Sequence, residues 1–209
     1  MNLLEIEVKF HLTDMAAMRD AVQALNPENR GRVFEYNVVF DDARSSLRRS
    51  RRLLRLRRDG QNRITVKAPA LGADAGDFKV RREIEIRIDD FDAARSMLHA
   101  LGYRRETVYE KWRETYVTNG GTHLCLDTLP FGDFLEIEGE AEAIRRCARR
   151  LGLSWEKRIL KNYHALFDLV RRRERLDFSN ITFDNFRGLS VDFTPCLPQA
   201  RAGEPARPE

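Results

Sequence analysis

The segment E-I-E-V-K near the start of the chain sets Glu5, Glu7 and Lys9 two residues apart. Side chains alternate along a strand, so this spacing aligns three charges of mixed sign within roughly 13 Å of backbone and turns Ile6 and Val8 the other way. The acidic pattern recurs in Glu83-Ile84-Glu85 and Glu136-Ile137-Glu138. A basic alternation recurs in Arg55 and Arg57, Lys79 and Arg81, and Lys111 and Arg113. Like charges are therefore grouped strand by strand, where a face serving only solubility would intersperse the signs. One ligand class suits both groups. A triphosphate carries roughly four negative charges near neutral pH, and basic strands hold its oxygens by charge-assisted hydrogen bonds. Paired carboxylates are hard oxygen donors for Mg²⁺ or Mn²⁺, which bridges to phosphates. Buried alone, either set would carry a large desolvation cost; together with metal and ligand they compensate each other.

The elements that must position these charges show in the same periodicities. Each acidic triplet precedes an amphipathic helix. The first runs from Thr13 to Leu25, with Met15, Met18, Val22 and Leu25 in phase. The second covers about Phe91 to Leu101, with Asp89 or Asp90 as N-cap and Gly102 as stop; the third runs from Ala141 to Leu151 before Gly152. The three units read as a degenerate internal repeat of a strand feeding a covering helix. Leu54 and Leu56, then Ile64 and Val66, alternate with polar residues on either side of the Asp59-Gly60 hairpin signal. Phe78, Val80, Ile84, Ile86 and Ile88 share one face, and Asn119-Gly120-Gly121 turns the chain into Leu124 and Leu126. With Glu35 to Phe40, the pattern predicts about eight strands. A last helix spans about Tyr163 to Arg173, and Pro69 to Asp77 reads as a loop. The simplest packing lays helices on the apolar side of a curved antiparallel sheet; the charged faces then meet water or line a closed barrel.

At 209 residues and 42% hydrophobic, the chain suits one domain with an appendage. Its net charge is only +4, yet seven arginines crowd between Arg48 and Arg58, which suits an anionic partner. Cys125, Cys147 and Cys196 form no C-x-x-C and an odd count, so neither a disulfide framework nor a zinc site is expected. No leader pattern and no apolar run of membrane length appears, so a cytoplasmic protein without membrane contact is expected. His11, His99, His123 and His164 do not cluster and read as surface or packing residues, as do Lys79, Arg87 and Glu140 as surface charges.

E-I-E-V-K resembles the ExExK signature of the CYTH superfamily, the triphosphate tunnel metalloenzymes. L-R-L-R with T-V-K, R-R-E-I-E-I, K-W-R-E-T-Y, L-D-T-L-P-F-G-D-F-L-E-I-E-G and K-N-Y-H-A-L-F follow in the family's order, covering roughly residues 3 to 170. The resemblance implies an α+β fold, a closed eight-stranded antiparallel tunnel with helices outside. It covers a tunnel domain over 1–173; beyond that, the phenylalanines between Phe178 and Phe193 suggest a packed extension over 174–193 and the prolines after it a disordered tail over 194–209. Carried over by residue, Glu5, Glu7, Glu136 and Glu138 are implied metal ligands for Mg²⁺ or Mn²⁺, with Asp127 close by and Glu83 and Glu85 as further acidic groups. Lys9, Arg55, Arg57, Lys67, Arg81, Lys111, Arg113 and Lys161 are implied to bind the triphosphate, with Lys9, Lys67, Arg113 and Lys161 carrying catalysis. The nearer branch is the class IV adenylate cyclases, which turn ATP into cyclic AMP and pyrophosphate. A triphosphate hydrolase acting on thiamine triphosphate or tripolyphosphate is the alternative. A non-catalytic nucleotide or polyphosphate binder, or an RNA-binding protein, is a third reading; RNA ranks last because no aromatics interleave with the arginines. A homodimer is compatible with the pattern.

Overall fold

A computed structural model describes residues 4–70 and 76–197. Eight strands and five α-helices follow one another as β1 (Leu4–Leu12), α1 (Met15–Gln23), β2 (Glu28–Asp41), α2 (Ser46–Arg49), β3 (Leu53–Arg58), β4 (Asn62–Pro69), β5 (Lys79–Ile88), α3 (Phe91–Ala100), β6 (Arg105–Val117), β7 (His123–Leu129), β8 (Gly132–Glu138), α4 (Ala141–Arg150) and α5 (Tyr163–Glu174). All ladders are antiparallel, and the order β1-β5-β4-β3-β2-β6-β7-β8 closes into a barrel. Closure removes sheet edges and gives every strand an inside and an outside.

The alternation in the sequence decides which residues go where. Val8, Phe10, Leu124, Leu126, Leu135 and Ile137 point outward and meet Val22 of α1 and Ile144 and Ala148 of α4. Val38, Phe40, Leu54 and Leu56 point outward beneath Phe91, Ala94 and Leu98 of α3. Helix starts follow the expected chemistry. Asp14, Asp90 and Asn162 each accept a hydrogen bond from the backbone N–H three residues on, so Asp90 rather than Asp89 is the cap of α3.

Helix α5 lies over one end of the barrel, where Tyr163, Leu166 and Phe167 join Tyr109, Leu129 and Phe134 in a third cluster. The chain beyond α5 adds Ile181, Phe186 and Phe193 to this cluster. Because β7 pairs with β6 only from Trp112 to Val117, the earlier half of β6 leaves an edge open on that side. The extension covers it: the Ile181 N–H donates to the Val108 carbonyl and the Glu110 N–H to the Ile181 carbonyl, each at 2.8 Å.

Two expectations need correction. Strand β2 begins at Glu28, not near Glu35, because the polar run Glu28–Arg32 pairs with β6 through a register shift between Asn29 and Arg32. Gly31, at φ 92°, supplies the left-handed residue of that irregularity. The packed extension also passes 193: Thr194–Cys196 form a 3₁₀ turn, and Cys196 and Leu197 pack on the third cluster. The remainder of the expected tail, 198–209, and residues 71–75 of the expected loop lie outside the described residues. Among the described residues no helix is long and apolar enough to cross a membrane.

Candidate active site

Barrel order turns the charge grouping of the sequence into geometry. The three E-I-E segments lie in β5, β1 and β8, which are neighbours, so Glu83, Glu85, Glu5, Glu7, Glu136 and Glu138 share one inner wall. Arg55 and Arg57 of β3, Arg63 and Lys67 of β4, and Lys111 and Arg113 of β6 line the rest of the same cavity. Its volume of about 430 Å³ falls in the usual range of small-molecule sites.

Lysines bridge the carboxylates of the acidic wall. Lys9 donates to Glu7 at 2.6 Å and lies 3.2 Å from Glu136; burial works against its ammonium, but Glu136 and Glu7 hold it above its usual range. Lys67 donates to both oxygens of Glu5, at 2.5 and 2.6 Å, and meets Glu83 at 2.9 Å. Lys79 also donates to Glu7. It was expected at the surface, but β5 turns it inward, and burial lowers its ammonium despite Glu7. The wall still carries surplus negative charge. Burial and the nearby Glu7 raise the Glu5 carboxyl, while burial with Glu5 and Glu7 pushes Glu138 up to about 7.

On the opposite wall, Arg55 donates to the Tyr109 hydroxyl at 3.0 Å and to Thr65 Oγ1 at 3.2 Å, leaving its buried Nε without a partner among the described residues. Arg113 grips Asp127 with Nε and Nη2, both at 2.6 Å, and reaches Glu136 at 2.5 Å. Lys111 donates to the same Asp127 at 2.8 Å, as does the Tyr163 hydroxyl at 2.7 Å. Asp127 is thus fully buried and saturated by three donors, which makes it the counter-ion of the cationic wall; on β7 beside β8 it shares Arg113 Nη2 with Glu136, close to the acidic wall as expected.

Sequence reasoning missed Glu35, 1% exposed on β2, which stands 3.4 Å from Arg57, 3.6 Å from Lys111 and 3.7 Å from Arg113. Burial alone would raise this carboxyl, but Lys111, Arg57 and Arg113 hold it well below the usual range. The signal was available: Glu35, Asn37 and Val39 alternate with the apolar outward residues Tyr36, Val38 and Phe40. Tyr163 and His164 of α5 were missed as well, because a 3.6-residue stripe does not distinguish packing on a barrel from plugging its end, and so was Tyr109 on β6, whose inward parity went uncounted. His164 and His123 line the cavity, contrary to the expected surface or packing role. Burial takes the His164 imidazole down to about 4, so it is neutral at pH 7, and its Nε2 has no partner among the described residues.

Lys161 is not brought to the cavity. It sits exposed on the bend before α5, where Asn162 turns inward to cap the helix, and Asn162, Tyr163 and His164 occupy the lining instead. Arg81 faces inward opposite Glu5 in the β1–β5 ladder but is not among the cavity-lining residues. Cys125 faces inward, buried, with burial pushing its thiol up to about 11, so it is an inert thiol. Arg87 and Glu140 are exposed, as expected.

The donor set fits a hard divalent cation in kind: Glu5, Glu7, Glu136 and Glu138 present carboxylate oxygens from two adjacent strands, and the raised Glu5 and Glu138 mark a shortage of positive charge there. Among the described residues no three such side chains stand in a ready-made coordination cluster, since lysine ammonium groups occupy the space between them.

The model of the CYTH domain matches residues 3–151. The chain belongs to the CYTH family. CYTH proteins are typically enzymes that act on triphosphates with a divalent metal. The chain is 32% identical to adenylate cyclase CyaB of Aeromonas hydrophila over 181 residues, 78% of this chain and 87% of that protein. Among solved structures, a protein of Pyrococcus horikoshii OT3 superposes with a TM-score of 0.64 at 29% identity, covering 76% of this chain and 96% of that one. A Hippeastrum protein, described as a putative adenylyl cyclase with a dominant triphosphatase activity, shares the fold at 21% identity and a TM-score of 0.57, covering 78% of this chain and 95% of that one. The CYTH match ends before α5 and the extension that close the barrel end.

Proposed function

We propose that this CYTH protein is a divalent-metal-dependent enzyme of the class IV adenylate cyclase type, converting ATP to cyclic AMP and pyrophosphate. The observation that carries the reading is the acidic wall of β5, β1 and β8 facing a cationic wall across one closed cavity. Arg55, Arg57, Lys67, Lys111 and Arg113 bind the phosphate oxygens, and the buried Arg55 Nε, without a partner among the described residues, gains one if the side chain shifts toward the ligand. Lys9 and Lys67, held charged against carboxylates, can exchange those contacts for phosphate oxygens without a change of protonation. A divalent metal held by Glu5, Glu7, Glu136 and Glu138 supplies Lewis-acid neutralisation of phosphate charge. Cyclisation requires the ribose 3′-hydroxyl in line with the α-phosphorus, so the tunnel must fix both ends of the nucleotide. Tyr109, Tyr163 and the neutral His164 place aromatic rings where the cavity meets α5, and these seat the adenosine.

Hydrolysis of the triphosphate is the second reading, favoured by the dominant triphosphatase activity described for the Hippeastrum protein. Both reactions use the same cradle and differ in which phosphorus is attacked. Product analysis separates them. Cyclic AMP and pyrophosphate from ATP, with little turnover of tripolyphosphate, supports the cyclase. Orthophosphate as main product, with tripolyphosphate or thiamine triphosphate cleaved faster than ATP, replaces it with the hydrolase.

A further inference from the structure

The outer face of β2 and β6 does something that no helix explains. Phe34 and Trp112 pair directly across the ladder, with ring centroids 5.1 Å apart, yet each remains about 37% exposed. Helices α1, α3 and α4 cover the outward apolar residues beneath them, whereas Val66, Ile84 and Ile86 on β4 and β5 are also bare but carry no rings. Here the neighbours are rings and guanidinium groups. Arg32 lies over the Trp112 ring at 4.6 Å, Arg58 lies over the Phe91 ring at 4.5 Å, and the Tyr36 and Phe91 rings stand 6.2 Å apart. Beside Phe34 opens a cleft of about 590 Å³ lined by Phe34, Tyr36, Phe91, Arg58, Asp92 and Arg95, which Trp112 borders only through its contact with Phe34.

This combination selects its ligand. Exposed rings flanked by arginines offer a stacking surface to a flat heteroaromatic ring. Arg95 is committed to Glu106, which it grips with both nitrogens. Arg58 is freer: its side chain is 53% exposed and 3.8 Å from the 81%-exposed Asp92. It supplies one charge-assisted contact for an anion at the cleft edge, and Asp92 accepts from an exocyclic amine or a sugar hydroxyl. The extension buttresses the surface, with Phe183 6.2 Å from Phe34 and its N–H donated to Glu110 of β6. Phe183 lies beyond the part of the chain that the CYTH match covers.

We infer that this outer cleft is a second nucleotide site, taking a purine mononucleotide with its base on Phe34 and Tyr36 and its phosphate on Arg58. The site is separate from the tunnel, although it is built on the same strands: Glu35 points inward between Phe34 and Tyr36, and Arg57 precedes Arg58.

Trp112, 5.1 Å from the Phe34 ring, reports on the neighbouring cleft, since the chain has just one other tryptophan, Trp155. The experiment titrates AMP into the W155F protein with tripolyphosphate and Mg²⁺ held in excess, following Trp112 fluorescence. Saturable quenching is expected, weakened about tenfold or more by Phe34→Ala, in line with the worth of one stacked base. Arg58→Ala should weaken AMP by a similar factor and adenosine hardly at all. Arg58 is half-exposed, so its variant remains informative if Phe34→Ala fails to fold. The proposal is overturned if AMP gives no saturable quench, if ribose 5-phosphate competes as well as AMP, or if neither variant changes the affinity. Because the readout is Trp112 and the mutated residues lie outside the barrel, failure here leaves the triphosphate reading of the tunnel untouched.

Discussion

Glu7 and Glu138 stand directly opposite each other in the β1–β8 ladder, both facing into the tunnel. Like charges so placed repel, and the two respond differently. Glu7 is matched by Lys9 and Lys79, whereas Glu138 has no cationic partner among the described residues. Glu138→Gln therefore removes a repulsive charge without orphaning a lysine, and should fold at least as stably as the parent when metal is absent. Its rate with ATP at saturating Mg²⁺ should nevertheless fall by about 10² or more, the usual size of metal and electrostatic contributions. Wild-type rates in this variant would remove Glu138 from the metal site.

The same surplus of charge predicts ligand-dependent stability. The empty tunnel holds its carboxylates against lysines at a desolvation cost, and an Mg²⁺–triphosphate complex relieves both walls at once. At one hundred times its dissociation constant, such a ligand should raise the melting temperature by roughly 5–10 °C for a chain of this size. Chelation of the metal should cancel most of that shift. An unchanged melting temperature with tripolyphosphate and Mg²⁺ together, across millimolar concentrations, would contradict triphosphate binding.

Phe193 tests the extension. It is 2% exposed and packs against His11, Phe131 and Phe134, linking the last described segment to the barrel end. Phe193→Ala should destabilise by about 3–5 kcal/mol, the cost of emptying a buried aromatic site. Denaturant midpoints measure it directly, and a loss under about 1 kcal/mol would show that the segment rests on the barrel without supporting it.

The fold was legible because period-two alternation in at least seven segments left few other packings, and because like charges were sorted by strand. What the sequence could not show was adjacency. E-I-E occurs at three distant places, and only the order β5-β1-β8 makes them one wall. Asp127 illustrates the limit. Its type and place within L-D-T-L-P suit a metal ligand, but three donors converge on it from β6 and α5, and no local pattern encodes them. Lys161 and Asn162 are neighbours in sequence, and the helix cap decided which of them turns inward. Glu35, by contrast, was readable and was passed over, since one acid in a largely apolar strand looks like a surface residue until its parity is counted.

Glu35 yields the last prediction. Its carboxylate is buried between Arg57, Lys111 and Arg113, so it holds the cationic wall together when no phosphate is present. Glu35→Gln keeps the shape and leaves those cations one charge short, which should destabilise the ligand-free protein by about 3 kcal/mol near pH 7. The pH dependence fixes the cause. Lys111, Arg57 and Arg113 hold Glu35 in the folded protein well below its usual value of 4.5. The stabilisation it confers is therefore fully present above about pH 4.5, and is lost as the pH falls through the lower folded value. The gap in stability between the parent and Glu35→Gln should thus be widest at neutral pH and narrow steadily below pH 4.5. Bound triphosphate supplies the missing negative charge, so saturating tripolyphosphate with Mg²⁺ should restore part of the lost stability at pH 7. A gap that stays constant from pH 7 down to pH 3 would mean that Glu35 contributes packing, not charge.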